Sequence, residues 1–163
     1  MPQEIERKFL VMGDEWRGQA DRGRRLRQAY LAETDRAVVR VRVEDKRRAV
    51  LTIKGAEPGL SRQEFEYEIP IEDAEALMAL RRGSVLDKTR FHVPHAGRRW
   101  EVDVYSGENE GLVIAEIELE SEKAAVQLPP WVGKEVTGKP RYYAARLSRE
   151  PYRSWSGEAV RGP

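Results

Sequence analysis

Apolar and charged residues alternate along most of this sequence, as they do in β-strands that have one apolar and one charged face. In residues 4–11 (EIERKFLV), Ile5, Phe9 and Val11 occupy odd positions, and the even positions carry three charges. Because side chains alternate across a strand, these charges share one face. The same pattern, bounded by Gly, Pro, Asn or Asp, predicts seven more strands at 25–33, 37–44, 48–55, 62–70, 85–93, 98–105 and 112–120.

Three shorter segments favour helices. Residues 71–82 (IEDAEALMALRR) have acids early and arginines late, in agreement with the helix dipole. Residues 121–128 begin with Ser121 as a candidate cap and end at two prolines, and Pro140 is suited to open a third helix. No repeat or linker divides the chain, so we predict one domain over residues 1–150, followed by a loose tail over 151–163.

Composition narrows the functional class. Charged residues make up 35% of the 163 residues, above the usual quarter, yet 29 basic and 28 acidic residues leave a net charge of only +1. This balance argues against a polybasic nucleic-acid binder. The absence of cysteine excludes disulfides, thiolate zinc sites and a cysteine nucleophile. With no signal-peptide layout and no apolar run near 18 residues, we expect a cytoplasmic protein without a membrane partner.

The charges on each strand are mostly of one sign: VRVR and KTR are basic, whereas EFEYE and EIELE are acidic. A charged face in water on an open sheet is the simpler explanation. However, three short helices cannot cover the apolar side of eight strands, and an exposed face would mix in Thr, Ser and Gln. We therefore predict an α+β, mainly β fold in which eight antiparallel strands close into a barrel with the charges inside.

Such an interior must contain water and ligands, because desolvating so many charges is too costly. Clustered carboxylates without sulfur favour Mg²⁺ or Mn²⁺, and clustered Arg and Lys favour phosphate oxygens. The sequence therefore predicts a metal–polyphosphate site. Its cations would be Lys8, Arg40, Arg42, Lys54, Lys88 and Arg90, and its carboxylates Glu4, Glu6, Glu64, Glu66, Glu101, Asp103, Glu116 and Glu118.

These residues resemble the CYTH superfamily, also called triphosphate tunnel metalloenzymes. The E-x-E-x-K of residues 4–8 is similar to the family signature. Seven further stretches and a C-terminal segment resemble the family in its order and cover nearly the whole chain. They are QAYL (28–31), VRVR (39–42), LTIKG (51–55), RQEFEYEIP (62–70), DKTR (87–90), WEVDVY (100–105), LVIAEIELES (112–121) and WVGKEVTGKPRY (131–142).

The resemblance implies an eight-stranded tunnel barrel that binds triphosphates with Mg²⁺ or Mn²⁺ and is plugged at one end by a helix at VTGKPRY. The implied metal ligands are Glu4, Glu6, Asp103, Glu116 and Glu118. The implied substrate-binding residues are Lys8, Arg40, Arg42, Lys54, Lys88, Arg90, Glu64 and Glu66. Lys8 and Tyr30 are the candidate catalytic residues: Lys8 as a cation beside two glutamates, and Tyr30 as a hydrogen-bond partner of the basic groups. Lys139 and Ala144 depart from the family pattern in the plug.

We expect a metal-dependent inorganic triphosphatase that hydrolyses tripolyphosphate to pyrophosphate and phosphate. A class IV-like adenylate cyclase is an alternative, although that branch has extra residues ahead of the glutamate pair and only three precede Glu4 here. Thiamine triphosphatase activity and a non-catalytic polyphosphate or nucleotide sensor are further alternatives. The expected partner is a small polyphosphate and no nucleic-acid polymer, and the sequence leaves open whether the protein is a monomer or a homodimer.

Overall fold

The computed structural model describes residues 3–55 and 61–155, which form one sheet with short helices around it. The strands are β1 (Gln3–Val11), β2 (Arg24–Glu33), β3 (Ala37–Glu44), β4 (Arg48–Gly55), β5 (Ser61–Ile69), β6 (Arg82–His95), β7 (Arg98–Tyr105), β8 (Val113–Glu118) and β9 (Val132–Glu135). The α-helices are α1 (Ile71–Met78) and α2 (Ala144–Leu147). Single 3₁₀ turns lie at Glu15–Gln19, Gly107–Asn109, Pro140–Tyr142 and Tyr152–Ser154.

The strands are antiparallel and follow the order β5-β4-β3-β2-β6-β7-β8-β1-β9. Strand β1 is shared between neighbours: it pairs with β8 over Glu6–Leu10, and it pairs with β9 through Phe9 and Val11. Its first residues, Gln3–Ile5, also pair with Ser61–Gln63 of β5, the strand at the other end of the order. The two terminal strands of the sheet are therefore both hydrogen-bonded to β1.

All eight predicted strands are present, each with bounds within three residues of the prediction. The sheet formed by the described residues nevertheless has nine strands, so the prediction of a closed eight-stranded barrel was wrong. Strand β9 was missed because its four residues, VGKE, are too few to show an alternation. It forms because its backbone pairs with the second half of β1, a contact distant in sequence.

The helix predictions were met only in part. Helix α1 ends at Met78, four residues earlier than predicted. Residues 121–128 form turns and extended chain, so the prediction of a helix there was wrong. Only Ala124 and Val126 of this segment pack against the core, which leaves no apolar face to hold a helix. The predicted plug helix is a 3₁₀ turn at Pro140–Tyr142 followed by the four residues of α2.

Part of the predicted tail is packed. The Trp155 ring lies 5.3 Å from that of Tyr142 and 5.1 Å from that of Tyr152, in edge-on contacts. Residues 156–163 of the predicted tail lie outside the described residues. In the described part of the chain, no helix has the length and apolar character needed to cross a membrane.

Two of the three apolar clusters lie on the outward side of the sheet. Val41 and Val43 of β3 are buried with Ala74 and Met78 of α1. A second cluster joins the rings of Trp100 and neighbouring aromatic residues on the outer side of β7 and β1. The third lies on the cavity side, where Tyr30, Leu86 and Ile114 pack with Leu147 of the C-terminal segment at one end of the sheet. Because the first two clusters take the outward apolar face of the strands, the charged face is turned to the interior.

Candidate active site in the sheet interior

A cavity of about 320 Å³ lies inside the sheet, and all strands from β1 to β8 contribute side chains to it. The C-terminal segment closes on it through Thr137, Gly138 and residues 143–145. Most of the strand side chains that line it are ionisable. They are Glu6, Lys8, Tyr30, Glu33, Arg40, Arg42, Lys54, Arg62, Glu64, Glu66, Lys88, Arg90, Glu101, Tyr105, Glu116 and Glu118.

Arg40 and Arg42 of β3 are buried cations, each with only 8% of its surface exposed. Arg40 donates to the Thr52 hydroxyl at 3.2 Å, while its buried Nε has no hydrogen-bond partner within residues 3–55 and 61–155. Arg42 Nε donates to Gln28 Oε1 at 2.8 Å, and Gln28 Nε2 donates to the Tyr30 hydroxyl at 3.2 Å. Neither guanidinium pairs with a carboxylate among the described residues. Buried charge of this kind requires a counter-charge, which an anionic ligand can supply.

The pKa of Arg42 reflects this environment. Burial lowers it to about 10, and the nearby Arg40 and Arg90 lower it as well. At neutral pH the Arg42 guanidinium therefore still carries its charge. The wall formed by β3 is consequently a positive surface with little solvent around it, where attraction to a phosphate is stronger than in water.

Lys88 and Arg90 of β6 form a second group of cations around Asp103 of β7. Lys88 Nζ lies 2.7 Å from Asp103 Oδ2, and Arg90 donates to both Asp103 oxygens at 2.8 and 2.9 Å. Burial lowers the pKa of Lys88 to about 8, although Asp103 opposes this change. Burial alone would raise the pKa of Asp103, but Arg90 and Lys88 outweigh it and bring the pKa down to about 2.

Carboxylates of β1 and β8 form the opposite wall. Register places Glu6 beside Glu118 and Lys8 beside Glu116, and Lys8 Nζ lies 3.9 Å from Glu6 Oε1. Burial would raise the pKa of Glu116, but Lys8 and Arg90 outweigh it and hold the pKa well below its ordinary value. Glu116 is therefore ionised at neutral pH and can act as an oxygen ligand.

The chemistry of this wall suits a hard divalent cation. Glu6, Glu116 and Glu118 offer only oxygen donors, as Mg²⁺ and Mn²⁺ prefer. Among the described residues, no three His, Cys, Asp or Glu side chains converge into a preformed metal site. A bound cation would therefore complete its coordination with water or phosphate oxygens, as Mg²⁺ commonly does.

The cavity brings together all the candidate site residues except Glu4 and Asp103. The backbone of Glu4 pairs with that of Arg62, but its side chain lies outside the described residues. Asp103 has no exposed surface and lies behind Lys88 and Arg90. The implied role of Asp103 as a metal ligand is therefore not supported by its position.

Sequence reasoning missed several residues of the site. Arg62 shares the parity of Glu64 and could have been found by extending the same alternation to the start of β5. Its guanidinium lies 4.8 Å from the ring of Tyr143 in the C-terminal segment. Gln28 carries no charge, and Tyr143 belongs to an irregular stretch, so neither had a signal in the pattern of charges.

Comparison with known proteins identifies relatives over most of the chain. The model of the CYTH domain matches residues 2–150. An inorganic triphosphatase of Acetivibrio thermocellus is 46% identical over 156 residues, covering 95% of this chain and 99% of the relative. An inorganic triphosphatase of Nitrosomonas europaea is 39% identical over 144 residues, covering 85% of this chain and 92% of the relative. The crystal structure of the inorganic triphosphatase NE1496 is 34% identical, with a TM-score of 0.65 over 88% of this chain and 96% of that one.

Proposed function

This chain belongs to the CYTH domain family, and from that premise we propose that it is an enzyme that hydrolyses inorganic tripolyphosphate to pyrophosphate and phosphate with the help of Mg²⁺ or Mn²⁺. The observation that carries the proposal is the cavity itself. It opposes the buried guanidiniums of Arg40 and Arg42, which pair with no carboxylate among the described residues, to a wall of glutamates that includes the ionised Glu116. A linear triphosphate with its metal ion is a ligand that satisfies both walls.

The residues would divide the work by charge. Arg40 and Arg42 would bind one part of the triphosphate, and Lys88 and Arg90 another, with Lys54 and Arg62 on the adjoining strands. Lys8 would neutralise charge on the phosphoryl group being transferred, and Tyr30, bonded to Gln28, would help to orient Arg42. Phosphoryl transfer depends mainly on such charge neutralisation and positioning.

Carboxylates would hold the metal ion and the attacking water. Glu6, Glu116 and Glu118, together with Glu4, are the proposed metal ligands. When bound, the cation supplies charge neutralisation at the phosphate oxygens. Glu64 and Glu66 would accept hydrogen bonds from the water that attacks a terminal phosphorus. The phosphoanhydride bond then breaks, and phosphate and pyrophosphate leave with release of a proton.

The pairing of β1 with β5 suggests how the substrate is enclosed. We propose that this contact, together with the pairing of β9 with β1, draws the two ends of the nine-stranded sheet together around the substrate cavity. The C-terminal segment would plug one end through Thr137 and Tyr143. The same proposal includes a single domain over residues 1–150 and a cytoplasmic location. Its partner is a small polyphosphate and no nucleic-acid polymer, and the protein is a monomer or a homodimer.

Phosphate release tests the proposal directly. Tripolyphosphate, ATP and thiamine triphosphate are assayed in parallel with Mg²⁺, with Mn²⁺ and with EDTA, and cyclic AMP is measured in the ATP arm. We expect metal-dependent phosphate release, highest with tripolyphosphate. Dominant cyclic AMP formation or dominant thiamine triphosphate hydrolysis would replace the proposal with that activity, and tight binding without turnover would make the protein a sensor.

The variant Lys8→Ala tests the proposed catalytic role of Lys8 in the same assay. Removing a cation that stabilises the transition state costs roughly 10²–10³ in rate. Lys123→Ala is the matched control, because Lys123 is exposed between β8 and β9. Near-full activity of Lys8→Ala would remove Lys8 from the mechanism.

A further inference from the structure

Asp103 has an unusual position for a carboxylate of this site. It lies in the middle of β7, where its backbone pairs with Arg90 of β6 and Ile114 of β8. Its side chain is completely buried, and it does not line the cavity. By contrast, the cavity-facing Glu101, two residues earlier on the same strand, keeps 31% of its side chain exposed.

Both oxygens of Asp103 are already engaged by cations. Oδ1 accepts from Arg90 Nε at 2.8 Å, and Oδ2 accepts from Arg90 Nη2 at 2.9 Å and contacts Lys88 Nζ at 2.7 Å. A carboxylate has about four lone-pair sites, so these three contacts leave little capacity for another ligand. A divalent cation at Asp103 would also be repelled by an ammonium at 2.7 Å and a guanidinium at 2.8 Å from the carboxylate. The ion pairs of Glu6 with Lys8 and of Glu116 with Arg90 are longer, at 3.9 Å in both cases.

Lys88 and Arg90 need such a partner. They occupy alternate positions of β6, so their side chains share one face and their charges repel each other. Asp103 bridges them, and the three residues together retain one net positive charge. Arg90 also lies 3.4 Å from Glu101 and 3.9 Å from Glu116, which are looser contacts than those with Asp103. This leaves two fixed cation heads that can still attract phosphate from the cavity side.

We propose that Asp103 is a positioning residue, which holds Lys88 and Arg90 in the orientation that binds the triphosphate and which does not ligate the metal ion. This inference rests on the proposed function, because it assigns the two cations to substrate. It separates the acidic residues of the site into two classes: Glu6, Glu116 and Glu118 toward metal, and Asp103 toward the phosphate-binding cations.

Asp103→Asn tests the assignment, with Glu118→Gln as the matched control on the metal side. Each variant is compared with wild type for the tripolyphosphate KM and kcat at saturating Mn²⁺, and for the Mn²⁺ dissociation constant by calorimetry. We expect Asp103→Asn to raise KM about tenfold or more and to leave the Mn²⁺ dissociation constant within about twofold. Glu118→Gln should instead weaken Mn²⁺ binding about tenfold or more. Equal weakening of Mn²⁺ by the two variants, or an unchanged KM in Asp103→Asn, would overturn the proposal.

Removing Asp103 leaves buried cations unpaired, which can prevent the Asp103→Asn variant from folding. A second comparison tests the proposal in that case. The charge-balanced variant Lys88→Met with Asp103→Asn is compared with Lys88→Met alone. If Asp103 is not a metal ligand, the two proteins bind Mn²⁺ with the same affinity. If Asp103 acts through Lys88, Asp103→Asn weakens tripolyphosphate binding less in the Lys88→Met background than it does in wild type. A Mn²⁺ dissociation constant about tenfold weaker in the double variant would contradict the proposal.

The readouts also separate this inference from the proposed function. If wild type hydrolyses no tripolyphosphate, the proposed function fails, whatever the variants do. The position of Asp103 is then judged on the binding of tripolyphosphate and of Mn²⁺, each measured by calorimetry without turnover. Weaker tripolyphosphate binding with unchanged Mn²⁺ binding in Asp103→Asn still supports a positioning role.

Discussion

Lys88 Nζ and Asp103 Oδ2 lie 2.7 Å apart in a pair whose side chains are only 3% and 0% exposed. The pKa of Lys88 is nevertheless lowered to about 8, because burial outweighs the attraction of Asp103, and the nearby Arg90 and Arg42 add repulsion. The pKa of an ammonium that lines the cavity is thus close to neutral pH. The net charge of the cavity therefore changes as the pH becomes mildly alkaline and Lys88 loses its proton.

Triphosphate binding should weaken as the pH rises through this range. An anion prefers the protonated Lys88, so its affinity is fully present below pH 8 and falls above it, by up to about tenfold per pH unit for one proton. The dissociation constant of tripolyphosphate is measured by calorimetry without metal from pH 6.5 to 10. In Lys88→Met this alkaline limb should disappear. The same pH dependence in wild type and variant would show that another group titrates.

Gln28 should matter for substrate binding although it carries no charge. It is completely buried between the Arg42 Nε and the Tyr30 hydroxyl, so Gln28→Leu leaves both without that partner. We expect a tripolyphosphate KM about tenfold higher and a loss of about 1–3 kcal/mol in the free energy of unfolding. Gln127→Leu, in an exposed position, is the control. An unchanged KM in Gln28→Leu would mean that Arg42 is oriented without it.

The contact of Arg62 with Tyr143 links the strands to the C-terminal segment. Removing the ring in Tyr143→Leu should raise the tripolyphosphate KM about two- to fivefold, since a cation–π contact is worth about 0.5–1 kcal/mol when partly exposed. Tyr143→Phe keeps the ring and should behave like wild type. In an Arg62→Met background, Tyr143→Leu should raise the tripolyphosphate KM only slightly further. If it retains its full effect there, the ring acts through Lys8, which lies 5.8 Å from it.

Gly83 is needed where β6 meets the C-terminal segment. Its φ is +71°, and a Cβ there would lie 2.5 Å from the carbonyl oxygen of Ser148, which accepts the Ser84 N–H at 2.8 Å. Gly97 has a similar φ of +78° with open space around it, so Gly97→Ala measures the backbone cost alone, about 1–2 kcal/mol. Gly83→Ala should reduce the free energy of unfolding by more than Gly97→Ala in urea denaturation. Equal losses would show that the segment moves aside easily.

The sequence predicts the strands and the inward direction of their charges because alternation is a local property. In β3, the parity of Val41 and Arg42 alone separates the outer core from the cavity. Parity cannot distinguish Glu101 from Asp103, because both lie on the same face of β7. Glu101 lines the cavity, whereas Asp103 is buried behind two cations, and this difference in burial depends on the side chains of neighbouring strands. Strand β9 and the contact of Tyr143 with Arg62 could not be predicted from the sequence either, because both arise from contacts between distant parts of the chain.

A crystal structure with tripolyphosphate and Mn²⁺, using Lys8→Ala to slow turnover, tests the central claim most directly. We predict that the triphosphate lies inside the sheet against Arg40 and Arg42, and that the anomalous signal of Mn²⁺ lies beside Glu116 and Glu118. A triphosphate bound only on the outer surface, with the cavity filled by water, would contradict the claim that the charged interior is the site of hydrolysis.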